Sequence, residues 1–429
     1  MSIFKPVTKW AERVTDTRRI PELISKAIRM ATQGQQGPVY LDLPGDILYN
    51  QVELDGVHFP RNLPKQPRPS GDPELIEEAL ALLNQAKRAP HPDRQRHSVV
   101  RCLRRTPGLR RTDRHSLLHH PQGRGVIPED HPLSFLGARS KAFKEADVVL
   151  VVGTRLNFVV GFGLPPRWAE DAKIIQVDIH REEVGRNRTI DVGIVGDARR
   201  VLEQLTAAAR TAFPRPIDLP WIDALRQSSR QNEEKAEALL NTDAMPIHPL
   251  RLCKEVRDFM DRDAILVVDG HEILNYARQS IPPTRQATAS MPGANGCMGV
   301  AIPYGLGAKM AKPEKQVIVL SGDGSFGMNG MEMDTAVWHH IPILVVVSNN
   351  GGWAAMGGMA AVTLVLPATT NSPRYWGATV STLRNPMRFA RLWSAPTLLC
   401  RPGTPAVVNV ITDPRARSQT VRFSAYRAI

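Results

Sequence analysis

The chain has 429 residues, of which 23% are charged, and a formal net charge of +13 at pH 7. This length allows two or three domains with a sizeable core. No apolar run reaches the roughly 18 to 20 residues of a membrane span, and the first residues lack the apolar stretch of a signal peptide. We therefore expect a cytoplasmic protein without a membrane partner. The four cysteines form no CxxC pair, so neither a disulfide framework nor a zinc site is indicated.

The first 50 residues predict one helix followed by one strand. Apolar residues recur at helical spacing from Ile20 to about Thr32, and an apolar run from Val39 to Leu43 follows a glycine-containing turn. One helix and one strand cannot bury a core alone. We therefore expect residues 1–50 to be the C-terminal remnant of a domain whose earlier part is missing, and the proline-rich residues 51–71 to be a linker.

Residues 72–215 predict a central α/β domain. Its first helix has Asp72 as a suitable N-cap and Pro73 at the first helical position. Strands are predicted from Ala146 to Gly153 and from Ala172 to Ile179, and both are apolar on two faces, as in a parallel sheet covered by helices. The polar residues 216–246 predict a second linker.

Residues 247–429 predict a third region of the same kind. Its strands are predicted over 264–270, 316–320, 341–349 and 405–413. The fold class expected for the whole chain is therefore α/β, with parallel-sheet layers that carry helices on both faces. In such sheets ligands bind beyond the carboxyl ends of the strands.

Two windows depart from this pattern. Residues 94–114 contain eight arginines and no lysine, and the chain between Asp334 and Asp413 has no Asp, Glu or Lys. Natural nucleic-acid surfaces interleave aromatic residues with their basic ones, and exposed helix faces need charge. We hypothesise that 94–114 and 354–403 are translated out of frame, which sequencing of the DNA would test. The basic excess is then no evidence for nucleic acid as a partner.

The sequence VIVLSGDGSFGMNG, residues 317–330, places an acid at the end of a buried strand. Gly322 and Gly324 allow the backbone around Asp323 to turn sharply, and the amides that follow, including that of Ser325, can face a phosphate. One crossover helix and one strand separate this turn from Asn350. The two strand ends are therefore expected side by side.

This arrangement suits a hard cation. Mg²⁺ takes oxygen ligands and commonly combines one or two protein side chains with substrate phosphates. The carboxylate of Asp323, the amide oxygen of Asn350 and the carbonyl of Gly352 would supply three oxygens. A GDG by itself is more typical of an ordinary turn than of a metal site, but this no longer holds for a GDG followed by strand, helix, strand and two asparagines.

The run GDGSFGMNGMEMDTAVWHHIPILVVVSNN resembles the GDG-to-NN motif of thiamine diphosphate-dependent enzymes, the superfamily of acetolactate synthase, benzaldehyde lyase, oxalyl-CoA decarboxylase and 2-hydroxyacyl-CoA lyase. The segments PQGRGVIPEDHPLS, VVGTRLNF and IIQVDIHREEVGRN are similar to its central domain, and residues 6–47 to the end of its pyrimidine-binding domain. The overall similarity is greatest to acetolactate synthase-like large subunits. The resemblance implies a Rossmann-like central domain and a flavodoxin-like C-terminal domain that binds the cofactor.

The resemblance also implies roles for individual residues. Asp323, Asn350 and Gly352 would hold Mg²⁺, and Gly322, Gly324 and Ser325 would line the diphosphate. In GCMGV the carbonyl of Gly296 would accept from the aminopyrimidine amine. Met298 would support the bent cofactor, although plain core packing is the alternative for a methionine.

The implied activity is a lyase or carboligase acting on 2-keto acids, with an acyl-CoA lyase or decarboxylase as the alternative. The catalytic residue is unknown, because the family's activating glutamate is expected in the missing N-terminal part, so we expect no turnover of pyruvate by this chain alone. A non-catalytic remnant that binds cofactor and assembles with other subunits is the alternative of another class. A homodimer or tetramer is expected.

Three further features leave alternatives open. FAD or ADP is held in the central domain of some relatives, but no GxGxxG loop is present here, so this domain could equally be structural. Asp269, His271 and Glu272 follow a strand and could either border the cofactor or be satisfied loop residues. His339 and His340 fit a solvated helix end.

Overall fold

The computed structural model describes residues 1–61, 67–85, 97–101, 116–119, 131–212, 219–282, 289–290, 296–352, 374–375, 378–394 and 404–418. The chain divides into two compact units. The first comprises Met1–Gln85, Leu150–Arg155 and Lys173–Arg215, and the second comprises Ala86–Val149, Leu156–Ala172 and Pro216–Ile429. These units do not follow the domain boundaries expected from the sequence. Within the described ranges every helix is too short or too polar to cross a bilayer.

The first unit begins with two parallel strands and an amphipathic helix. Strand β1 (Trp10–Arg13) pairs with β2 (Val39–Asp42), in the register Trp10↔Val39. Helix α1 (Ile20–Thr32) lies between them in the chain and has Pro21 in its first turn, where a missing N–H costs nothing. The short α2 (Gly45–Tyr49) follows. The helix and the second strand lie where the sequence predicts them, whereas β1 was not predicted.

The rest of the first unit alternates helices and strands. Helix α3 (Pro73–Gln85) begins after Asp72, whose Oδ1 accepts a hydrogen bond from the Glu74 N–H at 2.9 Å, as the N-cap prediction requires. The end of β5 (Val148–Val152) lies beside β6 (Lys173–Asp178), which pairs in parallel with β7 (Val192–Val195). Helix α5 (Ala198–Ala212) ends this part.

The second unit contains a seven-stranded sheet that carries the candidate site. The strand order is β12-β13-β14-β11-β10-β8-β9, and all pairs are parallel except β12 with β13. The strands are β8 (Ile265–Asp269), β9 (Ala289–Ser290), β10 (Val317–Gly322), β11 (Leu344–Asn349), β12 (Arg374–Tyr375), β13 (Ala378–Leu383) and β14 (Ala406–Ile411). Outside this sheet, β3 (His97–Arg101) pairs in parallel with β4 (Ser116–His119).

Helices cover both faces of this sheet. The second unit contains α4 (Arg139–Glu145), α6 (Leu219–Leu240), α7 (Pro249–Phe259), α8 (Glu272–Ser280), α9 (Ala301–Ala311), α10 (Asp323–Asn329), α11 (Glu332–Trp338) and α12 (Phe389–Trp393). Alternate residues of β10 enter different cores: Ile318 and Leu320 pack with α7 and α8, whereas Val317 and Val319 pack with α9 and α11. Such strands must be apolar on both sides, which confirms the α/β architecture with covered parallel sheets.

Two stretches differ from the sequence-based expectation. Residues 216–246, expected to be a linker, contain α6 over most of their length, with Trp221, Ile222 and Leu225 buried. The apolar residues lie near the helix ends, so the polar centre concealed the helical period.

Of the window 354–403, only 374–375 and 378–394 are described, and there β13 pairs in parallel with β14. In the window 94–114 only 97–101 are described, and the remainder of both windows lies outside the described residues.

Candidate functional site

Three neighbouring strands of the seven-stranded sheet end at the same edge. The register pairs Ser321 of β10 with Asp269 of β8, and Gly322 of β10 with Ser348 of β11. The chain leaves β8 towards β9 on one side and returns through β10 to β11 on the other. The carboxyl edge between β8 and β10 is therefore a topological switch point, where open α/β sheets bind their ligands.

Asp323 lies at the centre of this edge. It is the first residue of α10 and its side chain is held by two backbone amides: Oδ1 accepts from the Gly324 N–H at 3.0 Å, and Oδ2 accepts from the Gly352 N–H at 2.9 Å. The residue is only 3% exposed. A buried carboxylate fixed by two amides has a defined orientation but keeps lone pairs for a further partner.

The Asp323 carboxylate has no basic partner among the residues that the structure describes. Burial raises the pKa of this carboxyl above its ordinary value, although the backbone N–H groups of Gly324 and Gly352 oppose that shift. A buried negative charge is costly unless it is paired or coordinates a metal. The environment of Asp323 is therefore one that a bound cation would stabilise.

The two asparagines after β11 have different tasks. Asn349 is buried, accepts from the Gly351 N–H at 3.1 Å and donates through Nδ2 to the Asn409 Oδ1 at 3.1 Å. Asn350 instead presents its Oδ1 to the Gly352 N–H at 3.3 Å. This is the same amide that donates to Asp323, so the structure brings the predicted ligands Asp323, Asn350 and Gly352 together.

The residues predicted to line a diphosphate are placed next to this group. Gly322 ends β10, and Gly324 donates its amide to Asp323. The buried Ser325 hydroxyl has no hydrogen-bond partner among the residues that the structure describes. Helix α10 begins at Asp323 itself, and α11 follows it before β11, so two short helices stand where one crossover helix was expected. An unpaired buried hydroxyl at this point is a polar group with free hydrogen-bonding capacity for a ligand.

Sequence reasoning missed the glycine that allows β8 and β10 to approach. A Cβ at Gly270, which has φ +113°, would lie 3.2 Å from the Gly322 N and 3.1 Å from a methyl of Ile273. A Cβ at Gly322 would meet only ordinary contacts. The signal was present in the sequence as a glycine directly after a strand, but its close neighbour lies about fifty residues further along the chain.

The predicted cofactor residues Gly296 and Met298 lie in a short loop before α9, the Gly296–Val300 loop. Gly296 has φ +64°, and none of the described residues lies within 4 Å of its Cβ position; Met298 is half-buried. Gly299, at φ +86°, packs so closely that a Cβ would lie 2.8 Å from the Met328 Cβ. Asn329 Nδ2 donates to the Gly299 carbonyl at 2.7 Å.

The acids after β8 are satisfied by protein groups. Asp269 is fully buried and accepts from the N–H groups of Gly270 and Ala301. Glu272 accepts from the Ser418 N–H at 2.7 Å and lies 3.4 Å from the Nδ1 of His271. Burial would raise the pKa of Glu272, but the hydrogen bonds from His271 and Ser418 outweigh it and lower this pKa.

The two remaining histidines of the motif lie away from these contacts. His339 and His340 follow α11 and are both exposed. Their position agrees with a solvated helix end. They do not take part in the group around Asp323.

Charged residues cluster after β5 and β6 in the first unit, within the central domain where FAD or ADP is one of the two expectations. Glu183 is buried and its Oε1 lies 3.0 Å from the Arg186 Nη1 and 3.4 Å from the Arg155 Nε. Asp178, at the end of β6, accepts from the His180 N–H at 2.8 Å. Burial raises the pKa of Asp178 despite that bond. The cluster satisfies its own charges and by itself identifies no ligand.

The oxygen-rich group around Asp323 suits magnesium better than a transition metal. Among the described residues no group of three His, Cys, Asp or Glu side chains could hold a metal. Asp323 and Asn350 offer carboxylate and amide oxygens, which are the donor type that Mg²⁺ favours. The fold is α/β, and the carboxyl edge of its sheet presents oxygen atoms of the kind that a hard cation binds.

Comparisons with known proteins agree with that class. Residues 273–396 match the model of the thiamine pyrophosphate enzyme C-terminal TPP binding domain, and residues 115–205 match that of the thiamine pyrophosphate enzyme central domain. The match to the C-terminal domain therefore extends into the window 354–403.

Individual relatives match over nearly the whole chain. The 2-hydroxyacyl-CoA lyase of Oryza sativa is 31% identical over 98% of this chain and 77% of its own length. The acetolactate synthase large subunit IlvG of Mycobacterium tuberculosis is 32% identical, over 95% and 74% respectively. The oxalyl-CoA decarboxylase of Escherichia coli is 29% identical, over 98% and 76%. The chain belongs to the thiamine pyrophosphate (thiamine diphosphate) enzyme family.

Proposed function

We propose that this chain binds thiamine diphosphate through a Mg²⁺ ion held by Asp323, Asn350 and the carbonyl of Gly352. We further propose that it functions as a lyase or carboligase of the acetolactate synthase type, acting on 2-keto acids. Small-molecule substrates, a homodimer or tetramer and a cytoplasmic location form part of this proposal. Nucleic acid does not.

The observation that carries the proposal is the buried Asp323 carboxylate. It has no basic partner among the described side chains, it shares the Gly352 amide with Asn350, and it lies at the switch point of a parallel sheet. Uncompensated buried charge is found where a cation or a catalytic task requires it. Mg²⁺ would neutralise it and bridge to a diphosphate.

The neighbouring residues fit the rest of the cofactor. The amide of Gly324 and the unpartnered hydroxyl of Ser325 would face the diphosphate, beside Gly322. The Gly296 carbonyl would accept from the aminopyrimidine, and Met298 would support the bent cofactor. When bound, thiamine diphosphate supplies the chemistry that cleaves or forms a bond next to a carbonyl carbon, whereas the protein residues orient it and hold its charge.

A second candidate function has specific support. The rice relative, which matches 98% of this chain, is a 2-hydroxyacyl-CoA lyase, and another relative is an oxalyl-CoA decarboxylase. Both act on acyl-CoA compounds rather than on free 2-keto acids. The residues around Asp323 bind the cofactor and do not discriminate between these substrates.

Binding is tested first, by calorimetric titration of thiamine diphosphate with and without Mg²⁺. We expect binding that requires Mg²⁺ in the wild-type chain and a loss of at least about tenfold in affinity for Asp323→Asn, since hydrogen bonds and contacts to charged groups contribute about 1.5–3 kcal/mol. The matched control is Asp334→Asn, because Asp334 is exposed on α11. Equal affinity of the wild-type chain and Asp323→Asn would refute the assignment.

Turnover is tested separately with pyruvate, a 2-hydroxyacyl-CoA and oxalyl-CoA. No residue of the chain is assigned the family's activating glutamate, so each assay is run alone and with an added pyrimidine-binding domain. Acetolactate formation would support the first candidate, and acyl-CoA cleavage the second. Binding without turnover under any condition would favour a cofactor-binding subunit that assembles with others.

The central domain is proposed as an additional nucleotide position. Titration with FAD and with ADP tests it, using Arg155→Ala as the perturbing variant because Arg155 lies just after β5 and pairs with Glu183. Absence of binding would leave this domain with a structural role.

A further inference from the structure

The Gly296–Val300 loop is fixed at its far end by Asp269. This carboxylate ends β8, and its Oδ1 accepts from the Gly270 N–H at 2.6 Å while its Oδ2 accepts from the Ala301 N–H at 3.1 Å. Ala301 is the first residue of α9 and directly follows the loop. Because Asp269 is fully buried, loss of either bond would leave an amide without a partner in a site closed to water.

A second contact fixes the middle of the loop. The Asn329 side chain donates to the Gly299 carbonyl at 2.7 Å, and a Cβ at Gly299 would lie only 2.8 Å from the Met328 Cβ. Gly299 is held at φ +86°, a conformation that glycine adopts without a steric penalty. Two residues of α10 thus hold the loop: the Asn329 side chain bonds to the Gly299 carbonyl, and the Gly299 backbone packs closely against Met328.

Helix α10 connects this contact to the carboxyl edge of the sheet, where Asp323 lies. Its first residue is Asp323 and its last is Asn329, so one seven-residue helix of about 10 Å carries both the proposed metal ligand and the residue that holds the loop. Asp269 supplies the corresponding connection through β8, which pairs with β10. Both connections set the distance between the Gly296–Val300 loop and Asp323.

We propose that Asp269 and Asn329 are positioning residues, which hold the Gly296–Val300 loop at a fixed place relative to Asp323 and thereby determine recognition of the aminopyrimidine end of the cofactor. This rests on the proposed function, in which Gly296 and Met298 contact that end. Neither Asp269 nor Asn329 needs to touch the cofactor, and neither contributes to holding the diphosphate.

The test separates the two halves of the ligand. Thiamine diphosphate and inorganic pyrophosphate are each titrated in the presence of Mg²⁺. Pyrophosphate lacks the aminopyrimidine, so it contacts only the part of the site around Asp323. For Asp269→Asn and for Asn329→Ala we expect the affinity for thiamine diphosphate to fall about tenfold, which corresponds to about 1.4 kcal/mol. The affinity for pyrophosphate should change by less than about twofold. Hydrogen exchange of the loop peptide should accelerate in both variants.

Each variant has a matched control in the chain. Asp197→Asn alters a carboxylate of the other unit that also accepts from two backbone amides, those of Arg199 and Arg200. Asn232→Ala removes a side-chain bond to the Gly137 carbonyl at 2.8 Å, which is the same kind of bond that Asn329 makes. Both controls should bind thiamine diphosphate as the wild-type chain does.

The possible results are distinct. Equal weakening of both ligands in Asp269→Asn and Asn329→Ala would show a general structural role and overturn the proposal, as would unchanged affinity for thiamine diphosphate. Asn329 is exposed, so its variant gives an answer even if Asp269→Asn fails to fold. A wild-type chain that binds neither ligand would refute the proposed function itself, and the positioning role with it.

Discussion

The glycines of α9 offer a direct test of how this helix packs on the sheet that carries the site. A Cβ added at Gly305 would lie 2.5 Å from the Val319 Cγ2 of β10, whereas a Cβ at Gly307, two residues further along, would meet none of the described atoms within 4 Å. We therefore predict that Gly305→Ala destabilises the second unit and that Gly307→Ala does not. The loop with Gly296 and Met298 directly precedes α9, so its place depends on this packing.

The magnitude follows from the geometry. Carbon atoms in contact lie about 3.5–4.0 Å apart, so the alanine at 305 must move the helix and the strand apart by about 1 Å. Overpacking of this kind costs about 1–3 kcal/mol. Both substitutions gain about 0.8–1.0 kcal/mol of helix propensity. That gain cancels in the comparison, so Gly305→Ala should be about 1–3 kcal/mol less stable than Gly307→Ala.

The assay is hydrogen exchange of peptides that cover β10, measured at several urea concentrations. Exchange reports local stability and does not require the whole chain to unfold in one step. Protection of β10 should fall in Gly305→Ala and stay equal or rise in Gly307→Ala. If the two variants protect β10 equally, α9 does not pack on β10 as the structure shows, and the derived position of the loop is wrong.

Three further predictions concern titratable and capping groups. Because burial raises the pKa of Asp323, protons should compete with Mg²⁺ at a higher pH than for an ordinary carboxylate. The affinity for Mg²⁺, measured by titration, should therefore fall as pH falls through that raised pKa. The metal-free chain should gain stability over the same fall in pH. The pKa of Glu272 is lowered in the folded chain. Its contribution to stability should be present above the unfolded-state pKa and be lost as pH falls through the lowered folded-state pKa. Glu272→Gln should speed amide exchange at Ser418 at neutral pH. Asp72→Ala should cost about 1 kcal/mol in urea unfolding, by leaving the Glu74 amide uncapped, and no loss would contradict the cap.

Much of the fold could be predicted because its signals are local. The helix Ile20–Thr32 follows from apolar spacing within one segment, and the buried strands follow from runs that are apolar on both faces. Helix α6 was missed because its apolar residues lie near its ends. Strand β13 was missed because its stability comes from pairing with β14, which lies more than twenty residues further along.

The candidate site divides in the same way. The spacing of strand, helix and strand was enough to predict that Asp323 and Asn350 directly follow neighbouring strands. The folded chain was needed to show that Asn349 accepts from the Gly351 N–H, whereas Asn350 shares the Gly352 amide with Asp323. It alone showed that Asp269 reaches Ala301 across 32 positions of sequence. Such contacts depend on the packing of distant segments, and the periodicity of a single segment carries no record of its distant partners.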